Sequence, residues 1–293
     1  MSRLSDISYV REVMEKHGVS FSKGLGQNFL INPSVCPKMA EASGAAEAAG
    51  AIEIGPGIGV LTYELSKVSR KVVSIELDRR LLSVLDDTLS ECENVKIVND
   101  DAMKTDLHRL IKEEFGGEKV AVCANLPYYI TSPLIMRLLE EKLPITSITV
   151  MVQKEAAERL CAEPGTRECG AVSAAVRYYS EPEILFRVNR GSFMPSPNVD
   201  SAVIRLNILD EPPVKADSEK QFFAFIKAAF AQRRKTLRNS LSSGLSLSKD
   251  TVKAALEACG LKETARAEEL TLSELCELCN CLYKMAENAE NLL

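Results

Sequence analysis

The sequence predicts an α/β fold, in which a doubly wound parallel sheet is followed by a smaller all-helical C-terminal domain. Two observations predict this fold. Up to residue 208, short runs rich in β-branched residues alternate with helical patterns, and after the turn-rich segment 210–214 the pattern is wholly helical. The chain has 293 residues, and single hydrophobic cores rarely grow far past about 250 residues. We therefore place a larger domain at residues 1–209 and a smaller one at residues 210–293.

The individual elements follow from hydrophobic periodicity. Short apolar runs predict the strands Ala51–Ile54, Val72–Glu76, Val95–Val98, Val120–Ala124 and Ser147–Val152. Amphipathic stretches between them predict helices near Val60–Val68, Arg79–Leu89, Asp106–Glu114 and Pro133–Glu140. This alternation is typical of a parallel sheet with right-handed crossovers. Two further strands, Glu183–Val188 and Ala202–Ile208, have no helix between them and predict an antiparallel end to the sheet. The later helices are predicted at Phe222–Phe230, Thr251–Ala258 and Ser273–Met285.

The composition is that of an ordinary globular protein. With 36 basic and 41 acidic residues, the net charge of −5 argues at first against a nucleic-acid partner, although a net charge says nothing about a local patch.

The nine cysteines have no disulfide spacing, so we expect reduced thiols in a cytoplasmic protein. The one cluster, Cys276, Cys279 and Cys281, fits a helical core pattern better than a metal site, because no fourth ligand lies near in sequence. We expect no metal, no membrane partner and a monomer.

A glycine-rich turn follows the first strand of the sheet. In Glu53–Gly59, Gly55 and Gly57 allow a tight turn and a close approach of a ligand to the backbone. Glu76 ends the next strand, where a carboxylate can accept hydrogen bonds from both hydroxyls of a ribose. The spacing predicts a site for an adenosine-type cofactor in a Rossmann-like sheet. A dinucleotide is disfavoured because Val60 stands where its fingerprint needs a third glycine; a plain strand-to-helix turn remains the alternative.

Asp101 lies just after the third strand. A carboxylate at that place can accept a hydrogen bond from an adenine amino group, so we predict a cofactor contact. The alternative is that Asp101 caps the helix that follows.

The segment Asn125-Leu126-Pro127-Tyr128 follows the fourth strand and resembles the (Asn/Asp)-Pro-Pro-Tyr motif of enzymes that methylate exocyclic amino nitrogens. The N6 nitrogen of adenine is a poor nucleophile because its lone pair is delocalised into the ring. The Asn125 side-chain oxygen and a backbone carbonyl held rigid by Pro127 can each accept one N–H, which favours a tetrahedral nitrogen and stabilises its developing positive charge. Tyr128 offers a flat face for the target base, worth about 1–3 kcal/mol.

Taken together, these motifs resemble those of the small-subunit (16S) ribosomal RNA adenine N6,N6-dimethyltransferase family over nearly the whole chain. The glycine turn is similar to the first motif of S-adenosylmethionine-dependent methyltransferases, and Asn125–Tyr128 is similar to the (Asn/Asp)-Pro-Pro-Tyr motif of amino-group methylases. The matching segments are Gly26–Leu30, Glu53–Gly59, Glu76, Asp101-Ala102, Asn125–Tyr128, Phe193–Ser201 and Arg233–Asn239.

The resemblance implies an S-adenosylmethionine-dependent methyltransferase domain and several residue roles. It implies that Asn28 and Leu30 close over the methionine end of the cofactor and that Gly55, Glu76, Asp101 and Asn125 surround it. It also implies that Phe193 forms a second wall against which a flipped adenine stacks opposite Tyr128. It also implies that two adjacent adenosines near the 3′ end of small-subunit ribosomal RNA are dimethylated. Tyr129 departs from the Asn usual in the family, which puts the degree of methylation in question.

One acid-free window predicts the RNA-binding surface. Residues 221–249 contain no Asp or Glu, a composition typical of a phosphate-binding footprint. Two more arginines precede Phe193 in a second acid-free stretch, and Lys23 can add to the surface. The predicted RNA-binding residues are Arg187, Arg190, Lys227, Arg233, Arg234, Lys235 and Arg238. We expect the Arg233–Lys235 block to spread around a helix, in which case part of it is solvated surface.

Three other functions remain open at this point. A large-subunit ribosomal RNA adenine methylase would share the Gly-Gln-Asn-Phe and Asn-x-Pro-Tyr motifs. A ribosome-assembly factor would dock on RNA without catalysis. A nucleotide-dependent oxidoreductase is disfavoured by the missing glycine. We expect a partner in the small ribosomal subunit's RNA, within a pre-30S-like particle, and none in DNA.

Overall fold

The computed structural model describes Leu4 and residues 6–19, 29–125, 128 and 130–290, and these form two compact units. The sheet unit contains residues 1–157 and 182–208, and the helical unit contains residues 158–181 and 209–293. The chain passes from the sheet unit to the helical unit after Ile208, close to the predicted domain boundary. Residues 158–181, however, belong to the helical unit and not to the first domain as predicted. The physical reason is aromatic packing, since Tyr178 contacts the rings of Phe222 and Phe223 at centroid distances of 5.1 and 5.2 Å.

The elements are numbered in chain order. The strands are β1 (Phe29–Leu30), β2 (Ala51–Ile54), β3 (Val72–Glu76), β4 (Val95–Asn99), β5 (Val120–Asn125), β6 (Ile145–Gln153), β7 (Ser180–Val188), β8 (Phe193–Met194) and β9 (Ser201–Ile208). The α-helices are α1 (Ile7–Lys16), α2 (Val35–Glu41), α3 (Val60–Val68), α4 (Leu82–Thr88), α5 (Leu107–Phe115), α6 (Thr131–Glu140), α7 (Lys154–Leu160), α8 (Ala171–Tyr179), α9 (Glu219–Phe230), α10 (Leu237–Leu245), α11 (Lys249–Ala258) and α12 (Leu272–Glu290). Short 3₁₀ turns lie at Arg79–Leu81, Arg190–Ser192 and Ala267–Glu269.

The sheet of seven strands has the order β4-β3-β2-β5-β6-β9-β7. Strands β2 to β6 pair in parallel, and β9 pairs antiparallel with β6. The predicted α/β class and the antiparallel β9 are therefore confirmed. The central strands β2, β3 and β5 are buried along nearly their whole length, which is why they read as continuous apolar runs in the sequence.

A second sheet consists of only two short strands, β1 and β8, which pair antiparallel with Leu30 opposite Phe193. The amide nitrogens of Ile31 and Asn32 extend this contact by donating to the carbonyl of Ser192, at 2.8 and 3.3 Å. The sequence did not predict this sheet, because two residues are too few to show a period. Helices α1, α2, α7, α8 and α10 were not predicted either.

Helix α1 is anchored on the sheet unit by both apolar and charged contacts. Val10, Val13 and Met14 on its buried face share a hydrophobic cluster with Ile58, Leu81 and Val84. At its C-terminal end, Lys16 Nζ and His17 Nε2 lie 2.7 and 3.0 Å from Oδ2 of Asp87. The helix therefore packs against Ile58, which lies within the glycine-rich turn.

The helical unit is held together by close helix packing. A Cβ atom at Gly244 would lie only 2.6 Å from that of Ala228, so glycine at this position lets α10 approach α9. Cys276 and Cys279 are buried on α12, as the helical pattern predicted, and Cys281 is partly buried. Within the described part of the chain, no helix has the length and apolar character needed to cross a membrane.

Candidate active site

The carboxyl ends of the parallel strands bring the predicted cofactor residues to one edge of the sheet. Ile54 lies opposite both Ile75 and Ala124, and Glu76 lies opposite Asn99. Gly55, Glu76 and Asn125 each lie at or just beyond the end of their strands, so strand register alone makes them neighbours along this edge. In doubly wound sheets, this edge is where ligands bind.

The glycine-rich turn uses backbone conformations that favour glycine. Gly55, Gly57 and Gly59 have φ values of 70°, 62° and 88°. A Cβ atom at Gly59 would also lie 3.0 Å from the side chain of Leu89, so a larger residue there would be both strained and crowded. The turn leads directly into α3, whose N-cap is Gly59.

Glu76 connects the end of β3 to this turn. Its Oε2 accepts a hydrogen bond from the amide of Gly57 at 3.2 Å, and its Oε1 accepts one from the amide of Asp78 at 2.7 Å. Burial raises the pKa of Glu76, while these two backbone donors oppose that rise. Each carboxylate oxygen can accept more than one hydrogen bond, so acceptor capacity remains for the hydroxyls of a ribose.

Glu53 lies deeper than Glu76, beneath the glycine-rich turn. Its side chain is fully buried, and its Oε2 accepts a hydrogen bond from the hydroxyl of Ser74 at 2.7 Å. Burial raises the pKa of Glu53 to about 7, and the nearby Glu76 carboxylate adds to the rise. A carboxyl group in this place is poised between its neutral and charged forms near neutral pH.

Asp101 stabilises a tight turn and does not cap a helix. Its Oδ1 accepts a hydrogen bond from the amide of Met103 at 2.9 Å, whereas the N-cap of α5 is Asp106. The alternative role that the sequence left open for Asp101 is therefore wrong. Its side chain is 30% exposed and its Oδ2 lies 3.5 Å from Lys104, so the carboxylate is accessible from solvent.

Two large apolar side chains beside these acids are exposed. Leu77, next to Glu76, is 56% exposed, and Met103, in the turn of Asp101, is 37% exposed. Single exposed apolar side chains are common on protein surfaces; these two lie within two residues of Glu76 and Asp101, the predicted cofactor contacts.

The structure describes only part of the predicted catalytic segment. Asn125 is the last residue of β5 and lies opposite Met151 of β6. Tyr128 is half-buried, and its hydroxyl group lies within hydrogen-bond distance of Ser201. Leu126, Pro127 and Tyr129, and also the predicted cofactor residue Asn28, lie outside the described residues.

Leu30 and Phe193 meet in the β1–β8 sheet. Both side chains are 4% exposed and belong to one hydrophobic cluster with Val35, Met151 and Val203. The predicted stacking wall at Phe193 is therefore packed in the core, with almost none of its surface open. Strands β1 and β8 are thus joined both by backbone pairing and by contact between their apolar side chains.

The predicted RNA-binding residues fall into two groups. In the sheet unit, Arg187 and Arg190 are exposed at the end of β7 and in the turn that follows it. The helical unit carries exposed basic side chains at Lys227, on α9, and at Arg233, Arg234 and Lys235. These last three lie in the connection between α9 and α10, so the expectation that they spread around a helix is wrong.

Arg238 differs from the other predicted RNA-binding residues because it is paired within the protein. Its guanidinium group forms an ion pair with Glu263, lies 3.6 Å from Asp250 and donates to the carbonyl of Lys249 at 3.3 Å. The side chain is 28% exposed. Its contacts join α10 to the start of α11 and to the segment after α11.

Comparison with known proteins adds a family to this geometry. A family model described as Ribosomal RNA adenine dimethylase matches residues 18–284. A relative from Alkaliphilus oremlandii, named Ribosomal RNA small subunit methyltransferase A, is 46% identical over 97% of this chain and 99% of its own length. A protein of the same name from Geobacillus thermodenitrificans is 48% identical, covering 94% of this chain and 95% of its own.

Two solved structures have a similar fold. The 23S rRNA methyltransferase ErmE is 27% identical, with a TM-score of 0.68 over 87% of this chain and 100% of that one. A dimethyladenosine transferase from Plasmodium falciparum is 24% identical, with a TM-score of 0.69 over 88% of this chain and 98% of that one. The second likeness shows the fold alone.

Proposed function

Because this chain belongs to the ribosomal RNA adenine dimethylase family, we propose that it transfers methyl groups from S-adenosylmethionine to N6 of two adjacent adenosines near the 3′ end of small-subunit ribosomal RNA. The observation that carries the proposal is the 46–48% identity, over nearly the full length, to relatives named small subunit methyltransferase A. ErmE, named for 23S rRNA, is only 27% identical, which favours a small-subunit substrate over a large-subunit one.

The edge of the sheet suits the adenosine part of the cofactor. Glu76 offers acceptors for the ribose hydroxyls, and the carboxylate of Asp101 offers one for the adenine amino group. Leu77 and Met103 offer apolar surface for the faces of the adenine ring. The glycine-rich turn leaves room for a ligand without a phosphate group.

The catalytic segment suits attack by a weakly nucleophilic amine. The cofactor supplies an electrophilic methyl group on a positively charged sulfur. The Asn125 side-chain oxygen and a backbone carbonyl of the same segment accept the two N–H bonds of N6, so that its lone pair points towards the methyl carbon. With the cofactor bound, the new N–C bond would form as the carbon–sulfur bond broke with its electron pair left on sulfur. The nitrogen would become cationic, and these oxygens would stabilise that charge until a proton left to solvent. No strong base is required.

The target adenine must leave its stack before N6 can reach this segment. Tyr128 would provide a stacking face, while Phe193 would support the same region from the core through its pairing with Leu30. A second stacking wall at Phe193 requires one face of its ring to open in the RNA complex. Exposed basic residues on both units would contact phosphates, and dimethylation would take place on the RNA in a pre-30S-like particle in the cytoplasm.

The proposal is tested by transfer of labelled methyl groups to immature small subunits whose adenosines are unmethylated. We expect wild-type protein to label two adjacent adenosines, Asn125→Ala to lose transfer, and Asn280→Ala, a matched substitution on α12, to keep it. Label found only in large-subunit RNA would support the alternative substrate. Binding to the small subunit without cofactor binding or transfer would support an assembly factor and overturn the proposal.

A further inference from the structure

Arg137, on α6, binds the turn that carries Asp101. Its Nη1 donates to the carbonyl of Ala102 at 2.5 Å and its Nη2 donates to the carbonyl of Thr105 at 2.7 Å. The third donor, Nε, lies 2.6 Å from a carboxylate oxygen of Glu141, one helical turn further along. The Arg137 side chain is only 16% exposed. Each of the three nitrogens of the guanidinium group thus donates one hydrogen bond within the protein.

The turn at residues 101–105 also has hydrogen bonds of its own. The carbonyl of Asp101 accepts from the amides of Lys104 and Thr105 at 2.7 and 2.9 Å, and the Asp101 carboxylate accepts from Met103. The carbonyls of Ala102 and Thr105 belong to buried residues. Without Arg137 these two carbonyls would lose a charge-assisted partner in a place with little access to water, and the turn would have to shift to regain one.

Arg137 belongs to α6, the helix that follows the catalytic segment. Helix α6 begins at Thr131, three residues after Tyr128. A second contact joins the end of α6 to α5, the helix after that turn, because a ring nitrogen of His108 lies 2.9 Å from the carbonyl of Glu141. The helix that follows the catalytic segment therefore holds the turn that carries Asp101 and Met103.

We propose that Arg137 is a positioning residue for the cofactor: by holding the Ala102 and Thr105 carbonyls, it fixes Asp101 and Met103 at the distance from α6 that the adenine ring requires. The proposal rests on the function proposed above. Arg137 acts by keeping the adenine contacts in register with the Asn125 segment, where small displacements strongly reduce the rate.

The test compares Arg137→Met and Arg137→Lys with the wild-type protein. The cofactor product S-adenosylhomocysteine is titrated by calorimetry, and kcat and KM are measured separately for cofactor and RNA. We expect Arg137→Met to weaken cofactor binding about tenfold, as for removal of a charge-assisted hydrogen bond, with the KM for RNA changed by less than about twofold. Arg137→Lys should give an intermediate effect, since one ammonium group cannot reproduce the fork of the guanidinium group.

Two controls separate positioning from simple stability. Arg109→Met removes an exposed i,i+4 pair with Glu113 on α5 and should leave cofactor binding unchanged. Glu141→Gln removes the carboxylate partner of Arg137 but keeps both carbonyl contacts, so binding should change by less than about twofold. If Arg137→Met fails to fold, Arg137→Lys carries the test.

A double-mutant cycle gives a result that a purely structural role would not. If Arg137 acts through Asp101, the effect of Arg137→Met on cofactor binding should shrink in an Asp101→Asn background. Additive effects, or unchanged binding in the Arg137 variants, would overturn the inference. Absence of methyl transfer by the wild-type protein would instead overturn the proposed function, so the two failures are distinguishable.

Discussion

The hydroxyl group of Tyr128 lies 2.9 Å from Oγ of Ser201, the first residue of β9. Ser201 is fully buried and lies opposite Gln153 on β6. The far end of the Tyr128 ring is therefore attached to the rigid core of the sheet unit. A stacking platform held in this way loses little conformational freedom when a base binds to it.

This contact predicts different effects for two substitutions at Tyr128. Tyr128→Phe keeps the ring and removes only the hydroxyl, so the KM for RNA should rise no more than about fivefold, as for one neutral hydrogen bond. Tyr128→Ala removes a stacking contact of about 1–3 kcal/mol, which corresponds to about 5- to 150-fold. Steady-state kinetics with small subunits measures both. Ser201→Ala is the control and should resemble Tyr128→Phe; equal effects of the Phe and Ala substitutions would contradict a stacking role.

The raised pKa of Glu53 predicts a dependence of stability on pH. Between its usual pKa of 4.5 and its value of about 7 in the folded protein, the folded state holds a proton that the unfolded state releases. The stability from this neutral carboxyl is therefore present at acid pH and lost as the pH rises through about 7. Glu53→Gln stays neutral, so its free energy of unfolding relative to wild type should rise by about 2–3 kcal/mol between pH 5 and pH 8.

Denaturant unfolding at several pH values measures this difference. Glu47→Gln, at an exposed position, serves as a matched control for the exchange of a carboxyl group for an amide. A constant difference for Glu53→Gln would show that its carboxyl group is not perturbed.

The packing of α1 predicts that a residue remote from the ligand affects cofactor binding. Met14 is 2% exposed and shares a cluster with Ile58 of the glycine-rich turn. Met14→Ala should cost about 2–5 kcal/mol of stability and should also raise the Kd for S-adenosylhomocysteine, because the turn loses its support. Leu256→Ala, at a fully buried position of the helical unit, should cost similar stability without changing that Kd. Unchanged binding in Met14→Ala would show that the turn holds its shape without α1.

The exposed basic residues predict a salt dependence of RNA binding. Removing Arg234 or Lys235 should weaken binding and reduce the slope of log K against log salt concentration by about 0.7–0.9 for each phosphate that is no longer neutralised. Arg238→Ala should mainly lower the stability of the helical unit, since its guanidinium group is already paired with Glu263. Filter binding across a salt series separates the two results. A slope change for Arg238→Ala alone would reverse these assignments.

The sequence predicted the parallel sheet well because its central strands are buried on both faces and so read as apolar runs. It predicted the position of Gly55, Glu76 and Asn125 because strand ends in such a sheet share one edge. It did not predict the packing of Phe193 in the core, since the β1–β8 pairing joins residues far apart in sequence.

An acid-free window in the sequence does not show whether its basic side chains are paired in the fold. Arg238 lies in an acid-free window, yet its partner Glu263 lies beyond that window. Arg137 gave no signal at all, because its contacts with Ala102 and Thr105 depend on tertiary structure and involve backbone atoms that no motif records.

The pairing of β1 with β8 also has a consequence for synthesis of the protein. A nascent chain that has emerged only as far as residue 190 already contains the glycine-rich turn, Glu76, Asp101 and Asn125, but it lacks the strand with which Leu30 pairs. It also lacks β9, the partner of β6. Since pairings between residues so far apart in sequence are slow to form, the sheet unit can close only after translation has passed the end of β9 at Ile208.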